Sequence, residues 1–393
     1  MDNRLSDKRQ VVLYGAFDRY NYGDNLMPIL LEMYLTQKHP DKTKDIEFVF
    51  SSIKDSDLTR YACKKTVAMR NLLNIKNDST VIVVGGEVLG ADIGVLFTHV
   101  QESPIAVKAL RFIRRVSPGI LKAIAKTRYD AVWEYPYIPN KDSFKNKVKV
   151  VYNTVGAVPN SSQAKVINQA DYISARDQRT YNAVEKICKT HLVPDSVLMM
   201  SALVDEDFFE QQVRPELVKK LKDKKFITVQ ACPYKVKFTA QELASELQKV
   251  KEQHGLESVL LPIGYASGHD DIEFLEKVKA CSASEMLLLD ELNVWEIMYV
   301  IAKSNGFYGT SLHGVITAMS FGIPHFCIND DIEKLVSFLQ TWSVSPYNNP
   351  LQVQQISSSV ALTTAVEKSN LDKAVEKAQQ LIFSSVDEIA DIL

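Results

Sequence analysis

The feature that most constrains the fold of this chain is the regular alternation of short apolar strands with helical segments. Ten runs rich in β-branched or aromatic residues are predicted as strands, and amphipathic helical patterns fill most of the gaps between them. The predicted strands span 11–17, 46–51, 80–85, 148–155, 172–175, 226–231, 258–263, 286–289, 306–310 and 325–328. Because such alternation is typical of parallel sheets with helices on both faces, the sequence predicts an α/β fold.

The chain is long enough for two domains of this kind. It has 393 residues, of which 46% are hydrophobic, and this length exceeds what one ordinary core accommodates. A polar stretch over 205–225 separates the two sets of strands, and the periodicity of the last segment indicates a helix. We predict an N-terminal Rossmann-like domain over 1–205, a C-terminal Rossmann-like domain over 206–365, and a final helix over 366–393 that packs back on the first domain.

The most informative motif lies near the end of the second set of strands. Residues 309–314 read Gly-Thr-Ser-Leu-His-Gly, and the apolar helix that follows ends with Gly-Ile-Pro at 322–324. His313 therefore stands at a strand-to-helix junction, where open α/β sheets bind ligands and where helix N–H groups attract anions. The alternative is structural: Ser311 caps the helix and His313 is packed beside it.

Three other strand ends carry glycine-rich or polar loops. Residues 21–24 (Asn-Tyr-Gly-Asp) follow the first strand, 85–87 (Gly-Gly-Glu) the third and 174–177 (Ser-Ala-Arg-Asp) the fifth. Ligand sites of parallel sheets lie at such strand ends. Structural alternatives exist here too, because Asp24 or Asn25 could cap a helix and Arg176 could form a surface salt bridge.

Together, these motifs resemble the polysaccharide pyruvyltransferase family. The resemblance implies a GT-B-like fold of two Rossmann-like domains facing a cleft, with the first domain on the acceptor side and the second on the donor side. It also implies a ketal-forming transferase of exopolysaccharide or capsule biosynthesis, which moves the pyruvyl group of phosphoenolpyruvate onto a sugar and releases phosphate. The matching segments, in the family's order, are 21–24, 85–87, 174–177 with Thr180, 194–196, 263–265 with 269–271, and 312–314 with 322–324.

The resemblance and the residue chemistry together give each candidate residue a role. A guanidinium grips a carboxylate or phosphate with two parallel hydrogen bonds, and an imidazole serves as acid, base or phosphate ligand. We expect catalytic roles for His313, Asp24 and Arg176, and donor binding by Arg176, Ser311, His313 and Gly314. The expected acceptor-binding residues are Asn21, Tyr22, Asp24, Gly86, Glu87 and His269.

One position departs from the pattern of many family members, which carry an arginine where this chain has Ser311. The departure leaves open which cation holds the anionic donor. It also leaves open a noncatalytic glycan-binding relative. A further alternative is a GT-B glycosyltransferase that uses a nucleotide sugar, since it would share the fold and a helix N-terminus for phosphate.

Composition and motif spacing limit the cofactors and partners. The five cysteines lie far apart, so they are interpreted as reduced thiols of a cytoplasmic protein, and no zinc-type spacing appears. We expect no metal and no cofactor, with phosphoenolpyruvate as co-substrate and a glycan or lipid-linked sugar as acceptor. The net charge of −2 argues against nucleic-acid binding, and the sequence leaves a homo-oligomer open.

One segment combines basic and apolar residues. Residues 111–128 contain both types, interrupted by Pro118 and Gly119. The pattern is consistent with peripheral contact at the inner face of an anionic membrane, with an anionic substrate, or with a solvated helix face.

Overall fold

The computed structural model describes residues 8–99, 101, 103–129, 131–264 and 271–393. Each of the ten predicted strands is present, and two strands of two residues each, β3 and β7, join them. The strands are β1 Arg9–Tyr14, β2 Ile46–Ser52, β3 Val67–Ala68, β4 Ser79–Val84, β5 Val148–Val155, β6 Tyr172–Ala175, β7 His191–Leu192, β8 Phe226–Gln230, β9 Glu257–Leu260, β10 Leu287–Leu288, β11 Gly306–Gly309 and β12 His325–Cys327.

Helices follow most of these strands, as the alternation predicts. They are α1 Tyr22–Lys38, α2 Pro40–Thr43, α3 Ile93–His99, α4 Pro104–Val116, α5 Pro118–Arg128, α6 Ala164–Ile167, α7 Gln178–Val184, α8 Glu206–Gln212, α9 Pro215–Leu221, α10 Ala240–His254, α11 Asp271–Cys281, α12 Val294–Ala302, α13 Leu312–Ser320, α14 Glu333–Trp342, α15 Ile356–Ser359 and α16 Ala365–Ile392. Within the described ranges, no helix is long and apolar enough to cross a membrane.

The first sheet has seven strands in the order β3-β2-β1-β4-β5-β6-β7, and every recorded pairing is parallel. Its central strands are buried on both faces, and all six residues of β4 are buried. The chain order of the strands reverses between β1 and β4. Open α/β sheets bind ligands at this kind of switch point, beyond the carboxyl ends of the strands.

The second sheet has five parallel strands in the order β10-β9-β8-β11-β12. Its switch point lies between β8 and β11, both of which are fully buried. The loops after β8 and β11 are therefore the positions in this sheet at which a ligand site is expected.

The contacts divide the chain into two compact units. The first comprises residues up to Tyr20, Asp24–Ser196 and Ile382–Leu393, and the second comprises Asn21–Gly23 and Val197–Leu381. The end of α16 belongs to the first unit, where Ser385 hydrogen-bonds Tyr172 at 2.7 Å and Asp387 pairs with His39 at 2.7 Å.

Candidate functional site

The first sheet presents polar loops at one edge, because its parallel strands all end there. A loop after β1 leads into α1, residues 85–87 follow β4, and Arg176 follows β6. The loops after β1 and β4 flank the switch point of the sheet. The residues selected from the sequence in the first unit thus lie where the topology predicts a ligand site.

Arg176 lies at the centre of a buried ion-pair cluster. Its side chain is 1% exposed. Nη2 donates to Glu87 Oε2 at 2.6 Å, and Nη1 donates to Asp195 Oδ2 at 3.1 Å. Asp177 Oδ2 lies 4.0 Å from Nε. Burial alone would lower the pKa of this guanidinium, but the three carboxylates outweigh burial and raise it, so Arg176 is held in its charged form.

Glu87 is the exposed member of this cluster. Its side chain is 32% exposed, and Oε1 accepts a hydrogen bond from Arg179 Nη2 at 2.5 Å. A Cβ added to Gly156 would lie 2.7 Å from both Arg176 Nε and Glu87 Oε2, so the missing side chain makes room for the ion pair. Glu87 is therefore a partly open carboxylate fixed by two arginines, which suits hydrogen bonding to a sugar hydroxyl.

The charge balance of the cluster limits what Arg176 can bind. Arg176 and Arg179 face the carboxylates of Glu87, Asp177 and Asp195, so the five side chains together carry one excess negative charge. These five side chains by themselves present no net positive charge to an anionic ligand. The contact between Arg176 and the donor stays a prediction, and the geometry suits a role in positioning Glu87.

Asp24 lies inside α1 and not at its cap. α1 begins at Tyr22, so Asp24 and Asn25 lie inside the helix and the interpretation of either as the N-cap is wrong. Tyr22 itself is only 1% exposed. A Cβ added to Gly86 would lie 3.8 Å from Asp24 Oδ1, so the carboxylate faces the glycine loop. Gly86 has a φ of 84°, a conformation that favours glycine.

Arg19 is a further cation of this edge, and its role was not predicted from the sequence. Nη1 donates to Asp18 Oδ1 at 3.2 Å, and the Tyr129 hydroxyl donates to Asp18 Oδ2 at 3.1 Å. Burial alone would lower the pKa of Arg19. The electrostatic effect of the neighbouring groups is larger, so the net shift of the pKa is upward; these groups are Tyr137, Asp18, Tyr129 and Asp24. Asp24 and Arg19 therefore interact electrostatically beside the glycine loop.

In the second unit, the loop after β11 presents Ser311 and His313. Ser311 is the N-cap of α13, and its Oγ accepts a hydrogen bond from the Gly314 N–H at 3.4 Å. His313 lies in the first turn of α13 and is 8% exposed. The capping role and the predicted ligand role are compatible, because the cap bond is long and the helix N-terminus still favours negative charge.

The imidazole of His313 lies directly against the main chain of Gly23. A Cβ added there would lie 1.9 Å from His313 Cγ and Nδ1, so only glycine allows this approach. The neighbouring Tyr22 hydroxyl hydrogen-bonds Thr317 Oγ1 at 2.9 Å, and Thr317 Oγ1 donates to the His313 carbonyl at 2.7 Å. Within the second unit, Gly23 thus packs against the imidazole, and Thr317 bonds the main chain of His313.

Asp271, the first residue of α11, supports the same edge. Its Oδ2 accepts hydrogen bonds from Gln230 Nε2 at 2.9 Å and from the N–H groups of Ile263 and Gly264 at 3.1 and 3.2 Å. Gly264 also forms a bridge with Asn21. Burial raises the pKa of Asp271 to about 6, although its hydrogen bonds act in the opposite direction.

Comparison with known families decides the classification. The family model of polysaccharide pyruvyl transferases matches residues 21–332, which is most of the chain. The chain belongs to the polysaccharide pyruvyl transferase family. The family resemblance predicted from the sequence is thus confirmed, and the matched region contains Asp24, Glu87, Arg176 and His313. The family supports a transferase of polysaccharide biosynthesis.

Solved structures share the fold of this pyruvyl transferase family member at low sequence identity. A putative UDP-N-acetylglucosamine 2-epimerase from Listeria monocytogenes has a TM-score of 0.56 and 11% identity, over 97% of this chain and 95% of that chain. The UDP-GlcNAc 2-epimerase from Neisseria meningitidis has a TM-score of 0.54 and 11% identity, over 98% of both chains. These similarities show the fold alone, and they confirm the prediction of two Rossmann-like domains of the GT-B type. No curated protein matches the sequence.

Two further predictions about this family member concern His269 and metal binding. His269, expected to bind the acceptor, lies outside the described residues, as does Asp270. Among the residues that are described, no group of three or more His, Cys, Asp or Glu side chains is placed to hold a metal ion.

Four residues at the two edges had no role predicted from the sequence. Arg179 lies in the first turn of α7, three positions after Arg176, and this closeness in sequence is a signal that could have indicated it. Asp195 belongs to a family segment but received no role, and Arg19 lies in the loop after β1. Lys235, after β8, is close enough to oppose the rise in the pKa of Asp271.

Proposed function

We propose that this protein transfers the pyruvyl group of phosphoenolpyruvate onto two hydroxyls of a sugar in a polysaccharide or glycan precursor. The observation that carries the proposal is the family match over 21–332, because it spans the polar edges of both sheets. The product is a pyruvate ketal, and inorganic phosphate is released.

The reaction requires a proton donor, a proton acceptor and groups that bind anions. A proton adds to the methylene carbon of phosphoenolpyruvate, and two hydroxyl oxygens form bonds to C2. The bond from C2 to the phosphate oxygen breaks. Of the two protons that the hydroxyls lose, one balances the new methyl group and the other leaves with phosphate.

We assign the donor to the edge of the second sheet. The N-terminus of α13 favours a phosphate, and His313 in its first turn supplies an imidazole that can serve as acid, base or phosphate ligand. Ser311 supplies a hydroxyl but no charge, so a cation must come from another residue. Lys235 lies after β8, beside the switch point of this sheet, and we assign it to the anionic donor.

We assign the acceptor sugar to the edge of the first sheet. Glu87 is the partly exposed carboxylate held by Arg176 and Arg179, and it suits a hydroxyl hydrogen bond that fixes the sugar. Asp24, beside Gly86, is the proposed base that takes a hydroxyl proton. Arg176 acts through Glu87, because its own guanidinium is already paired with carboxylates.

The test is a phosphate-release assay with phosphoenolpyruvate over a panel of glycan acceptors, with mass spectrometry of the product. The proposal predicts phosphate release that depends on one class of acceptor, and a product that carries a pyruvyl ketal. Release of a nucleotide from a sugar nucleotide would instead identify a glycosyltransferase. Glycan binding without turnover of either donor would identify a noncatalytic relative. The His313→Ala protein, shown to be folded, is the negative control.

A further inference from the structure

The helix α4 carries an apolar row that faces solvent. Ile105 is 80% exposed, Phe112 is 66% exposed and Val116 is 67% exposed. With the exposed Ala109, they recur at helical spacing and lie on one face. Single exposed apolar residues are ordinary, but a contiguous row indicates an interaction surface. Ile120, at the start of α5, is also exposed, at 56%.

A basic row borders the apolar row on the same helix. Lys108, Arg111 and Arg115 are exposed and recur at spacings of three and four residues. Residues 104–128 contain seven Lys or Arg and no Asp or Glu, whereas the whole chain has a net charge of −2. The rest of the chain therefore carries −9, so the positive charge is concentrated on this pair of helices. Among the described residues, no carboxylate is within ion-pair distance of Lys108, Arg111 or Arg115.

An open groove of about 600 Å³ lies beneath the same helix. Its wall includes the apolar side chains of Leu110 and Ile124, together with the cations of Lys54 and Arg128. An apolar wall combined with positive charge matches a molecule that has both a hydrocarbon part and an anionic head. The groove thus combines apolar and cationic side chains, as the two exposed rows of α4 do.

We propose that α4 docks this protein on the surface of a bilayer that contains anionic lipids. An interfacial helix has an apolar face that enters the headgroup region and Lys or Arg side chains that attract anionic lipids. α4 has both, side by side and exposed. A protein partner would have to cover the apolar row and match a basic row without acids, whereas an anionic bilayer meets both requirements at once.

The first experiment measures sedimentation of the full chain with lipid vesicles. We expect binding to phosphatidylcholine vesicles that contain about one third phosphatidylglycerol, and little binding to phosphatidylcholine alone. Salt at about 0.5 M shortens the screening length to roughly 4 Å and should release the protein. Absence of binding to the anionic vesicles, or equal binding to both kinds, would overturn the proposal.

Two variants separate the contributions of the two rows. Each cation near an anionic surface strengthens binding about fivefold, so Lys108→Gln, Arg111→Gln and Arg115→Gln together should weaken it about 100-fold. Ile105→Ser, Phe112→Ser and Val116→Ser together should weaken it about tenfold or more. The charge variant alters only exposed side chains, so it keeps the test decisive if the apolar variant does not fold.

A matched control replaces three other exposed lysines, with Lys219→Gln, Lys220→Gln and Lys222→Gln on and beside α9. This control should bind anionic vesicles within about twofold of the wild-type protein. If the control lost as much vesicle binding as the α4 charge variant, net charge alone would explain the loss, and the role of α4 would be overturned. A wild-type dimer that the apolar variant dissociates, together with no vesicle binding, would assign the row to a second copy of the chain.

Discussion

The two sheets end in chemically different edges, although both have the strand order of a Rossmann-like domain. The first edge contains many paired charges, because Arg176 and a second arginine contact three carboxylates. The second edge is built mainly from hydroxyl, amide and imidazole groups at the N-terminus of α13. The same topology therefore presents two kinds of binding chemistry.

This difference indicates which substrate each edge suits. Charges that are paired with one another fix the geometry of Glu87 but leave little net attraction for an anion. Neutral donors at a helix N-terminus attract an anion, and the nearby Asp271 carboxylate already accepts hydrogen bonds from Gln230, Ile263 and Gly264. We therefore assign the sugar hydroxyls to the first edge and phosphoenolpyruvate to the second. Variants at the two edges can break this assignment.

The largest expected effect is the loss of turnover in His313→Ala. A positioned acid or base is worth about 10²–10⁴ in rate, so we expect kcat to fall by this factor while the fold is retained. His325 is the matched control, because it is buried in the same unit and bonds Ile323 and Ser343. Burial lowers the pKa of His325 to about 4, which is consistent with a neutral structural residue.

His325→Ala should lower the thermal midpoint but leave the kcat of the folded protein unchanged. Near-normal kcat in folded His313→Ala would remove His313 from the mechanism and leave the second edge without its proposed acid.

The next effect tests the orientation of the imidazole. In Gly23→Ala, the new Cβ would lie 1.9 Å from the His313 ring, so the ring must move. A misplacement of about 1 Å can cost about 100-fold in rate, and we expect a loss of that order in kcat. Gly119→Ala is the control, since nothing lies within 4 Å of its added Cβ. If both variants kept full activity, the contact between Gly23 and His313 would have no functional role.

A third variant asks what Arg176 does at the first edge. Arg176→Lys keeps the charge but cannot bond Glu87 and Asp195 in the same fork, and a lost charged hydrogen bond costs about 1.5–3 kcal/mol of unfolding free energy. If Arg176 positions Glu87, KM for the acceptor rises. If Arg176 grips the donor, as the sequence alone suggests, KM for phosphoenolpyruvate rises instead. Steady-state kinetics with each substrate varied separately distinguishes the two roles.

The smallest effect is a pH dependence of stability at the second edge. The pKa of Asp271 is raised from 3.8 to about 6 in the folded protein, so folding takes up a proton between these values. Stability should therefore fall as pH rises from about 4 to 6, with a slope of at most about 1.4 kcal/mol per pH unit from this residue. Asp271→Asn should lack this contribution. Urea unfolding across the range measures the difference, and parallel curves for both proteins would contradict it.

The sequence predicted ten of the twelve strands because buried runs of apolar and β-branched residues carry a clear pattern. The pattern misses β3 and β7, which have two residues each and so show little periodicity, whereas the equally short β10 lies in the apolar run 286–289. It also placed the end of β1 at Phe17, although the strand ends at Tyr14. There the Phe17 N–H bonds the Gly15 carbonyl in a turn that no apolar pattern encodes.

The sequence placed the site loops correctly at strand ends, but it could not choose ion-pair partners. Arg176 pairs with Glu87, which is 89 positions away, and with Asp195, which is 19 positions away. Such choices depend on where three strands end relative to one another, and not on local spacing. The Ser311 cap was foreseen because capping is local, and the same local rule misplaced the start of α1 by a few residues.

Titration calorimetry of phosphoenolpyruvate tests the assignment of the two edges most directly. Lys235→Gln should weaken donor binding about tenfold or more, which is the worth of a charged hydrogen bond. Lys237→Gln, two positions away and paired with Asp330 and Asp331 at the surface, should change it by no more than about twofold. Glu87→Gln should also bind phosphoenolpyruvate within about twofold of the wild-type protein, because it belongs to the acceptor edge. Loss of phosphoenolpyruvate binding in Glu87→Gln, with normal binding in Lys235→Gln, would place the donor at the first edge and contradict the assignment.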